Sequence, residues 1–266
     1  MENTVILNNG VEMPRIGYGV YQIPASITEQ CVRNALSVGY RSVDTAQCYG
    51  NENATGKAIK ESGIPRDEIF VTTKLWGGRG YQDTVSSIEG SLQALNLEYI
   101  DLLLIHEPTG NIPEIYRAME DAYRAGKLRA IGVANFLEKN YTSLLKDAEI
   151  VPVIDQIETH IFRQQKSMKK LLADHGTVHE SWSPLACGRN GFFRNPILKE
   201  MAERYGKSNA QIGLRFLYQQ GIVIIPKSVH IERMQENLDI LDFELTQDEM
   251  SRLADLDLDR SMFGWW

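Results

Sequence analysis

Three apolar runs in the first half of the chain deliver an ionisable side chain at or near their ends. Asp44 lies in Tyr40–Ala46, Lys74 in Ile69–Leu75 and His106 closes Ile100–His106, with Tyr49 shortly after the first run. A phenol titrates near about pH 10, too high for an efficient acid at neutral pH. A lysine ammonium beside it favours the phenolate and lowers that value. An aspartate beside the lysine would keep the ammonium charged and oriented in an otherwise costly buried position. A neutral imidazole can donate a hydrogen bond to a substrate oxygen and fix its approach. Together these groups can protonate an oxygen that is becoming negative. They include neither a reductant nor a nucleophile, so another reagent must supply that half of the chemistry. Singly, each has a plainer role: Asp44 as a helix cap, Lys74 as an ion-pair partner, His106 as a satisfied core histidine, Tyr49 as a rim aromatic. Their joint arrangement on successive runs favours catalysis.

A second polar cluster lies late in the chain. Ile225-Pro226-Lys227-Ser228 runs off an apolar segment, and Arg233, Glu236 and Asn237 follow on a helical stretch. Lys and Arg beside a helix N-terminus suit a phosphomonoester such as the 2′-phosphate of an adenine dinucleotide. A solvated basic patch is the alternative. No GxGxxG follows a strand-like run, and Gly77-Gly78-Arg79-Gly80 has neither the spacing nor the context, so a Rossmann mode is unsupported.

Positioning these residues takes a regular scaffold. Eight short runs rich in aliphatic and β-branched residues recur: Gly17–Gln22, Tyr40–Ala46, Ile69–Leu75, Ile100–His106, Arg129–Asn135, Val153–Glu158, Thr177–Pro184 and Ile222–Lys227. Several are apolar almost throughout, as in strands buried on both faces of a parallel sheet. Helical stripes separate them, including Val85, Ile88, Leu92 and Leu95, and Ile231, Met234, Leu238 and Leu241. Ser26…Glu29, Ser208…Gln211 and Thr246…Glu249 fit capping boxes. Eight strand–helix units in 266 residues predict one α/β domain over 1–266, a (β/α)8 TIM barrel. Val5–Asn8 and Val11–Pro14 flank Asn9-Gly10, predicting a hairpin that plugs the barrel floor. Asn195–Gln220 reads as two helices, one of them extra, before the last strand. In such a barrel the chemistry lies at the C-terminal ends of the strands, where Asp44, Lys74 and His106 fall.

Composition excludes other classes. Twenty-eight Lys and Arg against 35 Asp and Glu give a net charge of −7, and no basic run occurs, which argues against nucleic acid or an anionic membrane surface. No apolar stretch is long enough to span a bilayer, and the N-terminus lacks the pattern of a signal peptide. Cys31, Cys48 and Cys187 match neither a disulfide framework nor a metal motif. A reduced, cytoplasmic protein without structural metal is expected.

From about Val5 to Phe263 the chain resembles the aldo-keto reductases, most closely the short bacterial and protozoal members that act on small ketones and aldehydes. The resemblance rests on Gly39-Tyr40-Arg41-Ser42-Val43-Asp44-Thr45-Ala46 with Tyr49 and Asn51-Glu52, on Thr73-Lys74-Leu75-Trp76, and on Leu102-Leu103-Leu104-Ile105-His106. It continues through Gly132-Val133-Ala134-Asn135-Phe136, Trp182-Ser183-Pro184-Leu185, and Ile225-Pro226-Lys227-Ser228-Val229 with Arg233 and Glu236-Asn237. It implies an NADPH-dependent carbonyl reductase on a TIM barrel. Tyr49 would be the general acid, with its pKa lowered by Lys74 paired to Asp44, and His106 would orient the carbonyl. The nicotinamide would rest on Trp182, with its carboxamide held by Asn135 and Gln156. Ser183 and Leu185 would lie in the loop clasping the pyrophosphate. Lys227, Ser228 and Arg233 would hold the 2′-phosphate, beside Val229, and Glu236 and Asn237 would meet the adenine. The missing reductant is then the dihydronicotinamide. Tyr21, Trp76, Tyr49, His106 and the final segment would form the substrate pocket, and monomer is the family's common state.

Three departures qualify what the resemblance implies. Glu107 follows His106 where the family usually has Trp, putting a carboxylate in place of an apolar wall. Ala134 stands where a serine often contacts the carboxamide. The sequence ends at Trp265-Trp266 without the long tail of many animal members, so a more open pocket is expected, with Gly264-Trp265-Trp266 either over it or disordered. Two other functions compete. One is a cofactor-binding sensor or partner protein with negligible turnover. The other is a Schiff-base lyase using Lys74, which a neighbouring Asp44 opposes by keeping the lysine protonated.

Overall fold

The computed structural model describes residues 3–77 and 80–264. The proposed positions of Trp265 and Trp266, and the middle of Gly77–Gly80, lie outside the described residues. Within them, all eight expected runs become parallel strands: β3 (Tyr18–Gly19), β4 (Ser42–Asp44), β5 (Phe70–Leu75), β6 (Leu102–Ile105), β7 (Ile131–Ala134), β8 (Ile154–Glu158), β9 (Val178–Trp182) and β10 (Val223–Ile224). Each hydrogen-bonds to the next in chain order. The first and last also meet: Ile16 bridges Ile224, Gly17 N donates to Ile224 O at 2.8 Å and Ile224 N to Arg15 O at 3.0 Å. The sheet therefore closes on itself, the arrangement that leaves no strand edge exposed.

The strands are shorter than their runs because the flanking apolar residues continue into the strand–helix turns. Apolar side chains fill both faces, as the lack of alternation predicts. Phe70, Leu102, Leu104, Ile154 and Val223 form the barrel interior together with Leu7 and Met13. The opposite faces of the strands pack under the helices in a second, larger core.

Leu7 and Met13 belong to the hairpin β1 (Thr4–Ile6) and β2 (Glu12–Pro14), paired with Val5 opposite Met13. Its turn uses Gly10 at φ +84°, a left-handed conformation that favours glycine. Asn8 Nδ2 donates to Pro152 O and Asn9 Nδ2 to Arg129 O, both just ahead of barrel strands. The hairpin thus covers the N-terminal floor, as expected, and leaves the opposite rim for chemistry.

The helices are α1 (Ala25–Ser37), α2 (Glu52–Lys60), α3 (Tyr81–Leu95), α4 (Ile112–Arg124), α5 (Glu138–Leu144), α6 (Lys166–Asp174), α7 (Pro196–Tyr205), α8 (Asn209–Gln219), α9 (Ile231–Leu238) and α10 (Gln247–Ala254). The two helices expected in Asn195–Gln220 are α7 and α8. Ser208 and Thr246 form both halves of their capping boxes. Ser26…Glu29 does not: Pro24 occupies the cap position and α1 starts at Ala25, placing Ser26 inside the first turn. Glu29 is drawn instead to Arg33 at 3.1 Å and Lys57 at 2.9 Å. The stripe ending in Leu241 also overruns its helix, which stops at Leu238 and leaves Leu241 exposed.

Candidate active site

Asp44 ends β4, Lys74 is the penultimate residue of β5 and His106 directly follows β6. The parallel register brings their side chains to one rim. Lys74 Nζ donates to Asp44 Oδ1 at 2.5 Å, to Thr45 O at 3.1 Å and to Tyr49 Oη at 3.4 Å. Lys74 and Asp44 are both buried. Burial works against the lysine's charge, but Asp44, Tyr49 and Glu180 outweigh it and hold the ammonium above the ordinary lysine range.

Tyr49 is carried on a single turn, Gln47–Tyr49, closed by Gly50 at φ +67°. Three side chains fix that turn. Gln47 donates to Ser87 O at 3.0 Å and Ser91 Oγ at 2.9 Å, and accepts from Trp76 N at 3.0 Å. Asn51 accepts from Thr45 Oγ1 and donates to Val20 O and Ile23 O. Glu52 accepts from Thr73 Oγ1 at 2.7 Å. Asn51-Glu52, part of the family-like pattern, thereby anchors the loop bearing the phenol. Burial is the strongest influence on Tyr49 and pushes it up to about 12, while the charge of Lys74 pulls the other way. The depression expected from Lys74 is thus real but smaller than the desolvation, and the phenol stays protonated at neutral pH.

His106 stands edge-on to Tyr49 and Trp76, with ring centres 5.7 and 5.2 Å apart. Burial, helped by Lys74, lowers it to about 3, so the ring is a neutral donor at pH 7. Its Nδ1 lies 3.5 Å from Cys48 Sγ. Tyr21 packs against Tyr49 at 4.9 Å, and Tyr21 and Trp76 are 47% and 55% exposed. These aromatic faces, open to solvent around the phenol and imidazole, form a pocket mouth.

Asn135 follows β7 at φ +63°, a left-handed conformation that asparagine tolerates. That turn sends its amide back across the rim: Nδ2 donates to His106 O at 3.1 Å and Glu107 Oε1 at 3.0 Å, and Oδ1 accepts from Trp182 Nε1 at 2.8 Å. Gln156 lies deeper. Its Nε2 donates to Asp44 Oδ2 and Glu180 Oε2, each at 2.9 Å. Glu180 was not anticipated. Burial first, and then the negative charge of Asp44, push it up to about 8, so it holds a proton at neutral pH. Nothing in the sequence marks it, because only barrel closure turns its side chain toward Asp44.

A cleft of about 620 Å³ is lined by Leu185, Lys227, Ser228, Val229, Arg233, Glu236 and Asn237, all expected there, while Trp182, Asn135 and Gln156 are outside its lining. Phe193, Ser208, Asn209, Ala210 and His230 complete its wall, and Ser208 Oγ donates to Glu236 Oε1. Buried Tyr18 fixes the backbone below by donating to Ser228 O at 2.5 Å. Ser183 is outside this lining, at φ +53° and 3.0 Å from Cys187 Sγ. Lys227 and Arg233 are exposed, and neither is paired with a carboxylate among the described residues. Two unneutralised cations on a polar cleft fit a phosphorylated ligand. The final segment reaches the same rim: Phe263 packs on Trp182 at 5.1 Å, and Met262 N donates to Glu158 Oε1 at 2.8 Å. Among the described residues no His, Cys, Asp and Glu group could hold a metal ion, and no helix is long and apolar enough to cross a membrane.

The model of the aldo/keto reductase family matches residues 15–258. A glyoxal reductase of Bacillus subtilis is 44% identical over 262 residues, covering 97% of this chain and 94% of that one. Among solved structures, an aldo-keto reductase from a Medee basin deep-sea metagenome superimposes with a TM-score of 0.95 at 39% identity, over 97% of each chain. A Bombyx mori aldo-keto reductase in complex with NADP gives 0.91 at 32% identity, over 97% of this chain and 93% of that one.

Proposed function

The chain belongs to the aldo/keto reductase family, and from that premise we propose that it reduces small aldehydes, ketones and keto-sugars to alcohols with Tyr49 as proton donor. At the coarser level it is an NADPH-dependent oxidoreductase acting on carbonyl groups. The observation that carries the finer reading is the placement of Lys74 Nζ between Asp44 and the Tyr49 hydroxyl in a buried rim.

Bound NADPH supplies the hydride. Lys227, Ser228 and Arg233 would hold its 2′-phosphate, Glu236 and Asn237 its adenine, and Trp182 with Asn135 and Gln156 its nicotinamide end; the two cations of the cleft, unpaired among the described residues, fit such a ligand. His106, neutral and donating, directs the substrate oxygen toward Tyr49. Tyr49 Oη gives its proton to that oxygen as negative charge grows there. Lys74 stabilises the phenolate left behind, and Asp44 keeps Lys74 charged. Tyr21 and Trp76 shield the reacting carbonyl from water.

The test is oxidation of NADPH, against NADH, with methylglyoxal, nitrobenzaldehyde and diketogluconate. Turnover lost in Tyr49→Phe, with NADPH still bound, supports the assignment; an active Tyr49→Phe overturns it. Tight NADPH binding without oxidation across the panel favours a sensor.

A further inference from the structure

Glu107 joins the two halves of the site. It directly follows His106, whose ring faces Tyr49 and Trp76, and its Oε1 accepts from Asn135, which in turn holds Trp182. Its carboxyl is thus tied to the Asn135–Trp182 pair one residue after His106. Its other oxygen, Oε2, is shielded from solvent and accepts no hydrogen bond among the described residues. No cation pairs with Glu107 there either, and Lys74, the buried ammonium of the site, is committed to Asp44. A shielded carboxylate oxygen without a donor is unfavourable, and this disfavours the charged form of Glu107.

We infer that Glu107 is a specificity-determining residue that makes the pocket favour neutral or cationic carbonyl compounds and reject carboxylated ones. This rests on the reductase reading above. A carboxylated substrate would bring a second negative charge beside Glu107, and among the described residues no cation is paired with that carboxyl to offset it. A neutral substrate meets no such repulsion.

The discrimination has a pH dependence. The groups facing Glu107 are Cys48, whose thiol is raised by burial, and His106, which is neutral. Asn135 and Trp182 do not titrate, and deeper in the site Tyr49 stays protonated while Lys74 stays charged against Asp44. Burial pushes Glu107 itself up to about 7, with the Asn135 bond pulling the other way. Repulsion is therefore present above this value and fades as the carboxyl takes up its proton below it.

The test uses a matched pair, 4-formylbenzoate and its methyl ester, the free acid staying ionised throughout the range. In the wild type the ester-to-acid ratio of kcat/KM should rise about 10-fold or more between roughly pH 5.5 and 8.5. Glu107→Gln should lower the ratio at high pH by a similar factor and flatten its profile. A flat wild-type profile, which needs no variant, overturns the inference, as does a ratio unmoved by Glu107→Gln. In both cases the reductase reading survives. Turnover of neither compound, nor of any neutral aldehyde, removes that reading and the inference with it.

Discussion

The indole N–H of Trp182 donates to the side-chain oxygen of Asn135 at 2.8 Å, tying the end of β9 to the end of β7. Both residues are proposed for the nicotinamide end of the cofactor, and the bond presets one by the other. Asn135→Ala should weaken NADPH binding by about 10-fold, the scale on which lost positioning of a ligand group is felt. Titration of NADPH fluorescence measures it. An unchanged affinity would remove Asn135 from the cofactor site.

Tyr49→Phe deletes the proposed proton donor and little else. We expect kcat to fall by about 100- to 10,000-fold, the usual contribution of general acid catalysis. The dissociation constant of NADPH should stay within about 2-fold, because the phenol faces the substrate side. Single-turnover reduction of methylglyoxal distinguishes lost chemistry from slow release.

Removing Asp44 leaves a buried ammonium without its partner. Asp44→Ala should therefore destabilise the fold by about 3–5 kcal/mol, and Asp44→Ala with Lys74→Met by less than the single change. Denaturant midpoints give both numbers. A double variant less stable than Asp44→Ala would contradict the burial argument.

Arg233 stands exposed at the cleft, without a carboxylate partner among the described residues. Arg233→Ala should raise the Michaelis constant for NADPH by about 10-fold or more and alter that for NADH little, since only the former carries the 2′-phosphate. Added salt should weaken NADPH binding in the wild type more than in the variant. Equal losses for the two cofactors would place the 2′-phosphate elsewhere.

Glu180 keeps its proton in the fold up to about pH 8, whereas a glutamate in the unfolded chain loses it near about 4.3. A raised acid stabilises the fold fully below the unfolded value, and this contribution is lost as pH rises through the folded one. The difference in Tm between Glu180→Gln and wild type should accordingly grow in favour of the variant from about pH 5 to pH 9. A constant difference would mean that Glu180 is charged throughout.

The strands were legible because parallel strands buried on both faces lose alternation and become apolar runs, and because their polar ends fall at one rim. Asp44, Lys74 and His106 could be found on that logic alone. Lys227 and Arg233 could be singled out because a lysine running off the last strand and an arginine on the helix that follows suit a phosphate. Gln47 and Glu180 could not. Gln47 acts through α3, and Glu180 sits within an ordinary run, facing Asp44 only once eight strands have closed. The missed start of α1 has a local cause: Pro24 begins the helix ahead of the residues that look like its cap.

The junction between first and last barrel strands also governs how the chain reaches its native state. Tyr18 and Ser228, bonded to each other, are 210 residues apart. A nascent chain growing from its N-terminus can form β3 to β9 and still present two unpaired strand edges until β10 leaves the ribosome. Contacts of such sequence separation slow folding, because the intervening chain must be ordered before they are made. The step that completes the site, joining Lys227 and Ser228 to the rim of Asp44 and Tyr49, is therefore also the one that ends exposure to aggregation.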